Sequence, residues 1–206
     1  MPEITCVMYH LVRNPEETEF PHVKSRRIEE FIHQIDYLGS HYSFITADEF
    51  LNAVRSPEAS QDLPSNPVLL TFDDAYIDHY QTVFPILDER NIQGVFFAPA
   101  RPVWHGRMLA ANAIQVVLSR CPDHSLLVSA IDDHVSALQG QEGVLSLPAY
   151  HEKWLAPDVY NTANARYVKR MLQTGLPETA RDDVIGRLFR KWVTEDEQSL
   201  VSEYYA

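Results

Sequence analysis

Residues 68–80 read VLLTFDDAYIDHY. The apolar run Val68-Leu69-Leu70 leads through Thr71-Phe72 into two adjacent carboxylates, Asp73 and Asp74, and a helix-competent segment follows. Asn66-Pro67 punctuates the chain just upstream. A short β-rich run bounded in this way reads as a buried strand. In parallel sheets and barrels the carboxyl ends of such strands are where functional residues collect. Two neighbouring carboxylates resist joint ionisation, so a protein that keeps them has a cation or a shared proton between them. The competing reading is a helix N-cap, where Asp is favoured and complements the dipole.

Outward from this stretch, strands alternate with helices. Residues 4–9 form a short apolar strand with Tyr9-His10 at its end. His10 there is either a hydrogen-bonded core histidine or a site residue. Ile28, Phe31, Ile32, Ile35 and Leu38 follow helical spacing, which predicts an amphipathic helix over 25–38 closed by Gly39. A brief strand near 43–46 follows, then a capping box, Thr46-x-x-Glu49, opening a helix through Arg55. Residues 56–67 carry three prolines and read as a surface loop. Past the Asp pair, 78–90 reads as a helix, with Pro85 predicting a kink or an early boundary. Residues 94–98 are the fourth strand. This alternation signals βα units and a parallel sheet.

Beyond residue 100 the pattern changes. Trp104-His105-Gly106-Arg107 reads as a turn, and helices are expected over 108–120, 126–138, 160–172 and 178–192. A loop with Gly140, Gly143 and Pro148 separates the second and third. Thr194-x-x-Glu197 reads as a second capping box, opening a last helix to the terminus. The fold class is therefore α/β. Two domains are expected, βα units over 1–100 and a mostly helical region over 101–206.

At 206 residues the chain can bury a sizeable core without disulfides or a structural metal. Its 45% apolar and 22% charged content is that of an ordinary globular protein. A net charge of −12 argues against nucleic acid or an anionic membrane surface as partner and suits a neutral or cationic sugar. Cys6 and Cys121 form no CxxC spacing, which suggests neither a disulfide framework nor a cysteine zinc site. The N-terminus MPEITCVMYH has no signal-peptide pattern, and no apolar run is long enough for a membrane span. These readings point to a cytoplasmic protein.

TFDDAY followed by FPILDERNIQGVFFAPA resembles the first motif of the polysaccharide deacetylase family, the NodB-homology domain, whose usual form is TFDDGY. The first strand ending Met8-Tyr9-His10 and the strand GVFFAPA extend the resemblance. The block KRMLQTGLP with LFRKWV is similar to a helical insertion in some members. It is strong over 1–100 and loose after that. Ala75 stands where the family has Gly. The resemblance implies a partial (β/α) barrel and metal-assisted removal of N-acetyl groups from an amino-sugar glycan or its precursor. It implies Asp73 as general base, Asp74 as ligand of a divalent metal (zinc foremost), and His10 and Tyr76 at the substrate.

The family completes its metal site with two histidines in H-[ST]-x-x-H and adds a later histidine as general acid. The histidines here, at 10, 22, 33, 41, 79, 105, 124, 134 and 151, include no pair four apart. His124 and His134 read as surface residues, and His79 reaches Asp74 only if the turn folds back. One carboxylate and one histidine fall short of the three protein ligands of a catalytic zinc site, so this chain is expected to bind metal weakly or not at all. The barrel would stop early and leave an open edge. Helices, a second copy, or a C-terminal part of a longer protein would then cover it. Two functions follow: a deacetylase that is weakly active or inactive as this chain, or a non-catalytic carbohydrate-binding or scaffold protein that retains the fold.

Overall fold

The computed structural model describes residues 3–56 and 58–205. Position 57, in the proline-rich loop, and position 206, which the sequence assigns to the last helix, lie outside the described residues. The chain divides into two units, one of residues up to 106 together with 199–205, the other of residues 107–198.

The first unit is built on four parallel strands, β1 (Thr5–Tyr9), β2 (Ser43–Phe44), β3 (Pro67–Asp73) and β4 (Gly94–Phe97). β1 runs beside β3 from Thr5 opposite Val68 to Tyr9 opposite Phe72 and so takes one edge of it. β2 pairs with Pro67 and Val68, and β4 with Leu70 to Asp73. Both must therefore use the other edge, one after the other. Pro67 to Leu70 and Phe72 are all buried, as expected of a central parallel strand covered on both faces. Among the described residues β1 and β4 each keep an edge with no strand beside it. The partial barrel expected from the sequence is thus an open parallel sheet.

The helices of this unit are α1 (Ile28–His41), α2 (Ala47–Arg55), α3 (Phe84–Asp88) and α4 (Ala100–His105). Phe31, Ile35 and Leu38 of α1 join Tyr9, Val68, Leu70, Phe72, Val83 and Leu87 in one buried cluster. Burying each such side chain contributes roughly 1.5–3 kcal/mol. Tyr9 lies edge-on to Phe31 at 5.0 Å and stacks on Phe72 at 5.5 Å.

Helix ends depart from expectation where tertiary contacts take over. α1 continues through Gly39, and the extended backbone of Tyr42, leading into β2, ends it instead. The Thr46–Glu49 capping box forms at the start of α2. The expected helix over 78–90 is two pieces. His79–Val83 winds wide, with the Phe84 N–H donating to the His79 carbonyl, and α3 then begins with Pro85 in its first turn. Proline is tolerated there because that position needs no N–H partner.

The second unit holds α5 (Ala110–Arg120), α6 (His124–Ala137), α7 (Leu147–Trp154), α8 (Ala163–Arg170) and α9 (Glu178–Trp192). The stretch around Pro148, read as loop, contains α7. Its start is supplied by Ser146, which accepts from the Ala149 N–H, and by Pro148 in the first turn. The second capping box does not form. α10 (Glu197–Tyr204) begins at Glu197 itself, whose carboxylate accepts the Met108 N–H at 2.9 Å and pairs with Arg107. His124 and His134 are half-buried rather than fully on the surface.

A polar cluster ties three helices of this unit together. Asp132 of α6 takes Tyr167 Oη–H of α8 at 2.6 Å on one oxygen, and its other oxygen lies 2.9 Å from His151 Nε2 of α7. Tyr167 is fully buried, and burial together with the hydrogen bond to Asp132 pushes its phenol far above the ordinary tyrosine range.

Candidate functional site

β3 delivers Asp73 to its carboxyl end, where it pairs with Phe97 of β4. The register that sets Tyr9 against Phe72 brings His10 to the same end of the sheet. His10, Asp73 and Asp74 thus gather at one rim. His10 is exposed, and Asp73 and Asp74 are half-buried.

The chain turns sharply after Asp73. Asp74 has φ 78° and Ala75 φ 49°, two consecutive non-glycine residues in left-handed backbone. Such residues cost on the order of 1–3 kcal/mol each and persist only where the surroundings over-determine them. The restraint is visible. Asp74 N–H donates to the Phe97 carbonyl at 3.1 Å, and Tyr76 Oη–H donates to Asp74 Oδ2 at 2.8 Å. Ala75 has the backbone that glycine adopts without strain, which accounts for the glycine in the family motif. The N-cap alternative does not hold for this pair, because helical backbone begins at Ile77 and no backbone N–H donates to the Asp73 or Asp74 side chain among the described residues.

Tyr76, expected at the substrate, is 2% exposed and lies in the interior. It stacks on Tyr205 at 5.7 Å and meets Tyr204 and His79 edge-on, each at 5.6 Å. Its backbone forms an antiparallel bridge with Tyr205. Burial first, then the Asp74 carboxylate beside it, raise its phenol far above the ordinary tyrosine range, so the hydroxyl stays protonated as a donor.

Asp78 and His79 serve the scaffold. Asp78 is buried and accepts from the Val12 N–H and from the Arg13 guanidinium, at 2.6 Å from Nε. That guanidinium also lies 4.8 Å over the Tyr204 ring. The loop after β1, the turn after β3 and the end of α10 are thereby joined. His79 is 4% exposed, with Nε2 2.9 Å from the His10 carbonyl and Nδ1 buried without a hydrogen-bond partner. Burial lowers its pKa, against the opposing pull of the His10 carbonyl and the nearby carboxylates, which keeps the imidazole neutral. It folds toward the interior, where Nε2 is taken up by the His10 carbonyl.

The divalent ion that the family resemblance implies does not find a full set of donors here. Tyr76 occupies one oxygen of Asp74, His79 is committed to His10, and no group of three or more His, Cys, Asp or Glu side chains able to hold an ion forms among the described residues. One carboxylate oxygen falls short of the three protein ligands of a catalytic zinc.

Residues 60–115 match the family model for polysaccharide deacetylase, a segment that contains the whole turn just described. The resemblance to the polysaccharide deacetylases is shown in the segment that carries Asp73 and Asp74. No curated protein matches the chain. Among solved structures the chain is similar to IcaB from Ammonifex degensii, at 28% identity and a TM-score of 0.40, over 58% of this chain and 50% of that one. It thus spans half the length of that protein. The Streptococcus pyogenes deacetylase PplD, solved in complex with acetate, matches at 20% identity and a TM-score of 0.40, covering 93% of this chain and 83% of its own. A de-N-acetylase from Aggregatibacter actinomycetemcomitans matches at 17% identity and 0.39, covering 97% and 84%.

The partners of Tyr76 and Asp78 were outside the reach of sequence reasoning. Tyr204 and Tyr205 lie far along the chain from Tyr76, and their contact leaves no local period or spacing to read. Arg13 sits in a stretch whose only sequence signal is polarity and proline. No helix among the described residues is long and apolar enough to cross a membrane.

Proposed function

We propose that this chain carries the strand-end carboxylate half of a carbohydrate N-deacetylase, acting on an N-acetylated amino-sugar glycan or its precursor. The observation that carries the reading is the Asp73–Asp74 turn at the carboxyl end of β3, inside the segment that matches the deacetylase family. The net reaction takes an acetamido group and water to acetate and a protonated amine. Water adds to the amide carbonyl carbon, and the C–N bond breaks. Asp73, at the rim and half-buried, is the group placed to take the proton of the attacking water. Asp74, with its N–H held by the Phe97 carbonyl and Oδ2 held by Tyr76, keeps its other carboxylate oxygen without a hydrogen-bond partner among the described residues. His10, exposed at the same rim, is placed to contact the sugar.

A divalent ion would need donors beyond Asp74 to be held here. Acetate release from chitin oligomers, measured with and without added zinc, tests the reading. Turnover abolished by Asp73→Asn while the fold is kept supports it. Wild-type turnover in Asp73→Asn removes Asp73 from the reaction. Oligosaccharide binding without acetate release under any metal condition favours the non-catalytic carbohydrate-binding reading.

A further inference from the structure

We propose that Tyr76 is the positioning residue for Asp74, and that the Tyr204-Tyr205 segment at the end of α10 holds Tyr76 in that role. The inference rests on the reading of Asp74 as a site residue, and it moves Tyr76 from contact with substrate to support of the carboxylate.

The geometry forms a continuous line. Asp74 and Ala75 sit on left-handed backbone that neither residue prefers, so the direction of the Asp74 carboxylate is not set by local conformation. Two bonds set it, the Asp74 N–H to the Phe97 carbonyl and the Tyr76 hydroxyl to Oδ2. A hydroxyl can orient a carboxylate only if its own ring is immobile. The Tyr76 ring is enclosed on one side by Tyr205, nearly parallel to it at 16°, and met edge-on by Tyr204 at 74° and His79 at 83°. The Tyr76–Tyr205 backbone bridge adds a second restraint. Tyr204 is fixed in turn by the Arg13 guanidinium above its ring and by Phe20, edge-on at 6.4 Å. Arg13 is held by Asp78, four residues past Asp74. The line closes on the motif it starts from.

A phenol bonded to a carboxylate in the interior exchanges its proton slowly, and that signal in proton NMR reads the pair directly. The wild-type chain is expected to show this resonance for Tyr76, shifted in Asp74→Asn. Tyr205→Phe keeps the ring and is expected to keep the resonance. Tyr205→Ala is expected to lose it and to speed amide hydrogen exchange at residues 74–76 by at least about tenfold while β1 and β3 stay protected. An unchanged resonance and unchanged exchange in Tyr205→Ala overturn the proposal. Should Tyr205→Ala unfold the first unit, Tyr76→Phe carries the test, because it deletes the hydroxyl and keeps the ring. Faster exchange confined to 74–76 then supports positioning, and wild-type exchange overturns it. Neither signal depends on acetate release. A chain without deacetylase activity can therefore still show the positioning, and an active one can lack it.

Discussion

In each unit a buried tyrosine donates its hydroxyl to an aspartate, Tyr76 to Asp74 and Tyr167 to Asp132, and the two pairs differ in what the carboxylate has left over. Asp132 in the helical unit has both oxygens engaged, one by Tyr167 and one by His151, and it sits on regular α-helix. Asp74 in the sheet unit has one oxygen engaged by Tyr76 and sits on left-handed backbone at φ 78°. A fully engaged carboxylate on relaxed backbone acts as a fastener between helices, because every lone pair that faces the interior is already used. A half-engaged carboxylate on strained backbone is stabilised by its surroundings without being used up by them. That residual capacity, more than the acidic pair itself, is what the proposed role of Asp74 draws on.

Removing each carboxylate should separate the two cases most sharply. Asp132→Ala leaves the Tyr167 hydroxyl buried without an acceptor and is expected to cost about 2–3 kcal/mol in urea denaturation. Asp74→Ala leaves the Tyr76 hydroxyl in the same position but also removes a like charge beside Asp73, and it should cost about 1 kcal/mol or less. Equal losses would make Asp74 a fastener too and break the contrast.

A smaller effect is expected from pH. His79 is neutral in the fold with its pKa held below the usual 6.5. The unfolded chain therefore takes up a proton first as pH falls, so its contribution to stability is full above 6.5 and is lost progressively on acidification below it. Replacing it in His79→Gln should flatten that acid limb, read from melting temperature between pH 7 and 5. No comparable flattening is expected in Asp132→Ala, which still carries His79. An identical limb in His79→Gln would show that other groups govern acid sensitivity of the sheet unit.

The smallest expected change is a gain. Ala75→Gly restores the residue that accepts φ 49° without strain and should stabilise the chain by about 0.5–1 kcal/mol, seen as a raised melting temperature. A fall instead would mean that the Ala75 methyl packs favourably enough to outweigh the backbone cost.

The sheet was legible because β3 is an uninterrupted apolar run between punctuation and a pair of charges, and because Thr46 and Glu49 form a local cap. The Asp pair could be read for the same reason: it breaks an apolar strand. What escaped was set by contacts distant along the chain. Gly39 reads as a stop, yet the helix stops where Tyr42 is drawn into β2. Glu197 reads as the closing residue of a capping box, yet its carboxylate is taken by the Met108 N–H and Arg107. His79 carries no local mark of its bond to the His10 carbonyl, which exists only once β1 and β3 lie side by side.

The central place of β3 between its partner strands also bears on the order of assembly. Leu70 meets Gly94 after a single crossover segment, whereas Val68 meets Thr5 across two helices and a proline-rich loop. The shorter loop closes with the smaller loss of chain entropy, although the difference is only about 1 kcal/mol because the cost grows with the logarithm of length. The β3–β4 pair, and β2–β3 at the same separation, therefore close ahead of β1, which docks onto a strand already in place. The strained turn at Asp74 is bracketed by β3 and β4 through the Phe97 carbonyl, so it is imposed early, before the distant tyrosines arrive to hold it.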